Sequence, residues 1–225
     1  TSGGASLVLQ PPLAAEFLRL GSSAFSGKTL ASPQQGNTQD LALRHYVREQ
    51  HLSGQVTIRP MTNADQIIAF RQKQIDGAWA PEPWATRLVM EAGGERTIDE
   101  RDRWKDGRFP SAVIVVRQAF LKEHPETVKA WLRGHVETIT WMNDHPQEAQ
   151  ITFNQELLKI TSAALPENIL QEAWKRLSFS AEPLSSQTVE QARWAREEGF
   201  FPSDASIEKD AYDVTFLNDV AHTTY

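Results

Sequence analysis

The hydrophobic rhythm of the chain changes halfway along. Up to residue 116, short apolar or alternating runs, the mark of strands, take turns with segments of helical spacing. Residues 5–10 read as a strand, 11–26 as an irregular connection, and 29–32 as a second strand. A helix is predicted over 38–51, with Gly54 beyond it in the role glycine takes past a helix end. Residues 55–59 alternate as a strand, and Thr62 or Asn63 is suited to cap a helix over 64–73. A strand over 75–80, a short helix over 83–91 opened by proline, and a strand-like 96–98 follow. The apolar run 112–116 reads as a strong strand. This alternation predicts an α/β layer with a largely parallel sheet.

Beyond Val116 the spacing is helical throughout: about 118–143, 146–158, 166–177, 186–198 and a weaker segment near 204–220. Prolines at 125, 146, 166, 183 and 202 punctuate these segments. Trp131, Trp141, Trp174 and Trp194 fall on apolar helix faces, where packing is the expected role. So many helices need a sheet to cover, and the one small sheet of the first half has helices of its own. The second half therefore reads as cladding for another sheet, whose strands are not in this chain.

Composition narrows the choice. The 225 residues are 40% hydrophobic, enough for one large domain or two small ones. A net charge of −6 argues against a nucleic-acid binder, which needs a basic face. No apolar run approaches membrane-helix length. The absence of cysteine removes disulfides, thiolate metal sites and a cysteine nucleophile, and fits an extracytoplasmic protein. No signal peptide is visible, and the abrupt Thr1-Ser2-Gly3-Gly4 opening suggests a processed or truncated start.

The most suggestive stretch is Ser32-Pro33-Gln34-Gln35-Gly36-Asn37-Thr38-Gln39-Asp40, a polar loop between a strand end and a helix start. Such a loop offers unpaired backbone N–H groups, with Ser32, Asn37, Thr38 and Gln39 as further donors, which is a way to hold a small anion without lysine or metal. An ordinary N-capped helix after a turn is the plain alternative. A second candidate is Trp79-Ala80-Pro81-Glu82-Pro83-Trp84, where two rings and a carboxylate leave the end of a strand, the edge at which open α/β folds bind ligands. Packing of both tryptophans on the sheet is the alternative there. Ser2-Gly3-Gly4 is a third tight turn rich in N–H groups.

Other motifs fall away. Gly21 to Thr29 imitates a phosphate-binding P-loop, but five residues separate Gly21 from Gly27 where four are needed, and Lys28-Thr29 opens a strand. His45, His51, His124, His135, His145 and His222 show no metal-ligand spacing. No nucleophile elbow is present, and Glu197-Glu198 and Asp99-Glu100-Arg101-Asp102 read as solvated charge.

The segment from Gly27 through Ser32, Gly36-Asn37-Thr38 and Arg44 resembles the anion loop of nitrate/sulfonate/taurine-type substrate-binding proteins of ABC importers. Asp76-Gly77-Ala78-Trp79-Ala80-Pro81-Glu82-Pro83-Trp84 resembles their second signature, and Thr1 to Ala5 their strand entering the second lobe. Phe120-Leu121, His124-Pro125-Glu126 and Asn143 to Ala149 match as well. The resemblance implies a type II periplasmic-binding-protein-like α/β fold, with one complete lobe over 1–116 carrying the anion loop and hinge strands. Residues 117–225 would then pack on the first lobe, most of which lies upstream of this chain. It further implies a monomeric, extracytoplasmic, non-catalytic protein without cofactor or metal. Its ligand would be a small anion (an aliphatic sulfonate, taurine or nitrate), and its partners the permease subunits of an ABC importer. Ligand-binding positions under this reading are Ser2, Gly3, Ser32, Gln34, Gly36, Asn37, Thr38, Gln39, Trp79, Glu82 and Trp84. Trp79 or Trp84 would pack on a carbon chain and Glu82 would meet an ammonium. Alternatives of the same fold are a binder of pyrimidine or other ring ligands, a pyrimidine-precursor synthase, whose cysteine-rich motif is absent here, and the sensing half of a transcription regulator.

Overall fold

The computed structural model describes residues 1–202 and 212–221. Its centre is a five-stranded sheet. The chain begins with β1 (Ser2–Gly3) and β2 (Ala5–Leu9), then α1 (Pro11–Leu20) and a 3-10 turn at Gly21–Phe25. β3 (Thr29–Ser32), α2 (Thr38–Glu49), β4 (Thr57–Pro60), α3 (Asn63–Arg71), β5 (Gly77–Pro81), α4 (Trp84–Ala92) and β6 (Glu95–Asp99) follow, ending in a 3-10 turn at Glu100–Arg103. The sheet order is β4-β3-β5-β2-β6. β3 pairs parallel with β4 and β5, whereas β2 runs antiparallel between β5 and β6. One reversed strand thus interrupts an otherwise co-directional sheet.

Strand alternation sorts the core into two layers. Leu7, Leu9, Leu30 and Trp79 face one side, where α1 and α2 bring Leu13, Leu43 and Tyr46. Val8, Ala31, Ala78 and Ala80 face the other, against Ile67 and Phe70 of α3 and Leu88 of α4. The caps fit the sequence: Thr62, not Asn63, accepts the Asp65 N–H at 3.2 Å and opens α3.

Several elements differ from expectation, among them Ser2–Gly3 and Leu177–Ser178, which pair as short strands rather than forming a turn and a helix end. The connection 11–26 is mostly helical, because Pro11 and Pro12 occupy the first turn, where a missing N–H costs nothing, and Leu13 and Ala14 are buried beneath them. The run 112–116 forms no strand. Val113, Ile114, Val115 and Val116 are 49%, 46%, 87% and 38% exposed. β-branched residues favour a strand only where a ladder partner lies alongside, and none does among the described residues.

Helices then dominate: α5 (Gln118–Glu123), α6 (Pro125–Asp144), α7 (Pro146–Thr161), α8 (Glu167–Trp174), the short β7 (Leu177–Ser178), α9 (Ser185–Glu197) and α10 (Thr215–Ala221). The weaker helix expected near 204–220 falls partly outside the described residues. α8 lies on α4, α9 on α2, and β7 pairs antiparallel with β1. Trp194 of α9 is buried, while Trp131, Ile151 and Ile160, on α6 and α7, are 54%, 60% and 81% exposed.

Candidate functional site

Strand direction gathers the candidates on one rim of the sheet. Ser32 ends β3 and Pro81 ends β5. Because β2 runs the other way, its first residue, Ala5, pairs with Pro81, and the Glu82 N–H donates to the Gly4 carbonyl at 2.6 Å. Ser2 and Gly3, expected as a turn but paired as β1 with β7, and Glu82 therefore meet. The 32–40 loop follows β3, next to the β5 that leads into Glu82 and two strands, about 10 Å at ordinary strand spacing, from β2.

The loop forms around a residue outside the expected set. Asn37 is the N-cap of α2, its Oδ1 accepting from the N–H groups of Gln39 at 3.1 Å and Asp40 at 3.0 Å. Asp40 sits three residues on, the spacing of a capping box, and its carboxylate turns back into the loop. It accepts from Ser32 Oγ at 2.5 Å, from Gly36 N–H at 2.8 Å and from Arg44 Nε at 2.8 Å, with no exposed surface. Several donors that the sequence offers to an external anion are thus engaged by an internal one. Gly36 has a φ of +78°, a left-handed conformation that glycine adopts without strain. Of the remaining loop candidates, Gln34 is exposed, Asn37 and Thr38 are half-buried, and Gln39 is buried.

The second signature is likewise largely committed within the fold. Trp79 has no exposed surface and belongs to the core, opposite Leu7, so it is not placed to meet a ligand's carbon chain. Its indole N–H donates to Glu100 Oε2 at 2.7 Å. The Glu82 side chain is also fully buried: it pairs with Arg96 at 2.8 Å and accepts the Thr86 N–H at 3.0 Å. A buried carboxylate needs such partners, and having them Glu82 is not free for an ammonium. Trp84 is half-buried at the start of α4, with the Arg87 guanidinium 4.8 Å from its ring centre. Ser2 accepts the Phe109 N–H at 3.1 Å, and the Gly3 N–H donates to the Phe109 carbonyl at 3.3 Å.

Beside β1 lies a charged network in which Asp99 and Glu100, read from the sequence as solvated charge, are instead half-buried and buried. Arg176, which follows α8, stands 3.8 Å from Glu82, 3.9 Å from Asp99 and 3.0 Å from Glu172. Arg101 pairs with Asp99 at 2.9 Å. Burial alone would raise the Asp99 pKa, but the Arg101 hydrogen bonds and charge, with Arg176, bring it below the ordinary value. Burial lowers Arg96, against the opposing pull of Glu82. Glu100 is pushed up to about 7, mainly by complete burial, with the Trp79 hydrogen bond acting against the shift. Among the described residues, no group of three His, Asp or Glu side chains is arranged to hold a metal, and no helix is long and apolar enough to cross a membrane. A shallow depression of about 420 Å³ lies on α1, lined by Pro12, Ala15, Glu16 and Arg19, away from the rim.

A reversed strand in a sheet clothed on both faces, with loops and helix starts on one rim, is the lobe architecture of type II periplasmic binding proteins. Residues 8–155 match the model of the NMT1-like family, and the chain belongs to that family. Among solved structures it is similar to the periplasmic nitrate-binding protein NrtA of Synechocystis PCC 6803, with a TM-score of 0.75 at 15% identity over 98% of this chain and 65% of that one. It is also similar to the periplasmic aliphatic sulphonate-binding protein SsuA of Escherichia coli, with a TM-score of 0.71 at 15% identity over 93% of this chain and 65% of that one. A putative sulfonate-binding SsuA from Methylobacillus flagellatus gives 0.68 at 15% identity, covering 98% and 66%. At such identity the likeness is one of fold, and the chain spans about two thirds of the length of these structures. No curated protein matches the chain.

Proposed function

We propose that this chain carries one ligand-binding lobe of an extracytoplasmic substrate-binding protein that delivers a small anion, an aliphatic sulfonate, taurine or nitrate, to an ABC importer. The observation that carries the proposal is the fold shared with nitrate- and sulphonate-binding proteins over more than nine tenths of the chain. In this reading a monomeric protein binds without chemistry. The ligand seats between two lobes, the connecting segments bend, and the closed form docks on the permease. Residues 117–225 pack in part on the other lobe, which covers the apolar surface of 113–116 and α6–α7.

The internal carboxylate of Asp40 shapes what the loop gives a ligand. With the Gly36, Gln39 and Asp40 N–H groups engaged, the donors left to the rim include the Thr38 hydroxyl and the side-chain amides of Asn37 and Gln34. A hydrogen bond to a charged partner contributes roughly 1.5–3 kcal/mol, and the α2 dipole adds roughly 0.3–1 kcal/mol. Three such bonds and the dipole supply roughly 5–10 kcal/mol before association costs, so micromolar affinity, about −8 kcal/mol, needs further contacts from the other lobe. Replacing Thr38 by Val keeps the shape and removes the hydroxyl. It should weaken anion binding about tenfold or more in titration calorimetry, and unchanged affinity would refute the loop assignment. Asp40 also favours a second reading, a neutral or ring-shaped ligand such as a pyrimidine, because a carboxylate already fills the anion seat.

A further inference from the structure

Helix α9 ends in a way that brings an aromatic ring onto the candidate loop. Gly199 adopts a φ of +78°. Its N–H donates to the Arg196 carbonyl at 3.0 Å, and the Phe200 N–H to the Ala195 carbonyl at 2.8 Å. These paired bonds close a helix and redirect the chain. The turn sets Phe200 against Gly36: a Cβ built on Gly36 would lie 3.3 Å from the Phe200 ring, and the Arg44 guanidinium is 5.9 Å from the ring centre. α9 itself is fastened to α2. Trp194 stacks on His45 at 4.1 Å and meets Trp104 at 4.8 Å. Arg48 of α2 pairs with Glu198 at 2.7 Å and with Glu197.

We propose that Phe200 is a positioning residue for the 32–40 loop. Its ring holds the Gly36 backbone where the N–H reaches Asp40 and shields the Asp40–Arg44 pair from water. The donors the loop shows to a ligand are then set by the docking of α9 (Ser185–Glu197), an element far along the chain from α2 (Thr38–Glu49). The alternative is that Phe200 only finishes the α9 cap, as an apolar residue at that position often does. The ligand part of this inference rests on the loop being the ligand site; the structural part does not.

Amide hydrogen exchange on the chain separates these. Phe200→Ala should speed exchange at Gly36, Gln39 and Asp40 about tenfold, with Ala78 and Trp79 of β5 unchanged and Phe200→Tyr close to wild type. Unchanged exchange at the three loop amides overturns the proposal. If Phe200→Ala loosens the whole fold, the double variant Glu197→Gln/Glu198→Gln, which unfastens α9 and keeps the ring, decides: faster exchange confined to the loop and α9 supports the coupling, and an unchanged loop overturns it. Titration with nitrate and ethanesulfonate adds the functional arm. Where wild type binds either anion, Phe200→Ala should weaken it at least about fivefold and Phe200→Tyr restore it; equal affinity overturns the positioning role. Silence of wild type toward both anions contradicts the anion reading, while the exchange result still judges Phe200.

Discussion

Asp40 is the residue on which the candidate site turns. It is a carboxylate without solvent contact, held by a hydroxyl, a backbone N–H and a guanidinium. Asp40→Asn keeps the size but gives Arg44 a neutral partner and turns a donor toward another donor. It should lower stability by roughly 1.5–3 kcal/mol in urea unfolding, and a loss below about 0.5 kcal/mol would show that the carboxylate is not the loop's anchor. Glu100 gives a second residue-scale expectation. An acid whose folded pKa is raised binds its proton more tightly when folded, so its stabilising contribution is complete below its ordinary value of 4.5 and disappears as pH rises to about 7. Unfolding free energy should therefore carry a decline of up to roughly 3 kcal/mol across that window, and Glu100→Gln should flatten it. Equal pH profiles for the two proteins would contradict a neutral buried Glu100. Asn37 and Ser32 are legible in the sequence as loop donors. The commitment of Asp40 shows only as a capping-box spacing, which cannot say that its side chain reaches Ser32 and Arg44. Trp79 illustrates the same limit: alternation places it on one face of β5 but does not reveal that α1 and α2 cover that face.

At the scale of elements, local patterning succeeds where a segment carries its own signals. α2, α3, α4 and the strands between them have caps, alternation and breakers close to where the structure ends each one. α1 is hidden because its two opening prolines look like punctuation. The 112–116 run fails for the opposite reason: strand propensity is strong, but no ladder partner lies alongside it among the described residues. Val115 is 87% exposed, so Val115→Lys should change the stability of this chain by less than about 0.5 kcal/mol. In a protein in which the proposed first lobe covers this run, the same change should be clearly destabilising, and equal tolerance in both would contradict the covered run. The attachment of α9 to α2, through Trp194, His45 and Arg48, joins elements far apart in the chain, and nothing in either local pattern announces it.

At the scale of the molecule, one reversed strand matters most. β2 brings Ser2 and Gly3 of β1 and Glu82 to the rim that holds the 32–40 loop. The fold and family were thus legible early, from short motifs spread over the whole chain. The division of the site between donors spent inside the fold and donors left for a ligand was not, because it depends on which side chain wins each hydrogen bond. The central claim, a lobe that captures a small anion, meets its most direct test in a thermal-shift panel on the gene product that carries this chain. The panel comprises nitrate, taurine, ethanesulfonate, bicarbonate, phosphate and a thiamine-type pyrimidine. Ligand at about a hundred times its dissociation constant adds about 2.7 kcal/mol. The account predicts a clear rise in melting temperature with nitrate or one of the sulfonates; no response to any anion beside a rise with the pyrimidine would contradict it.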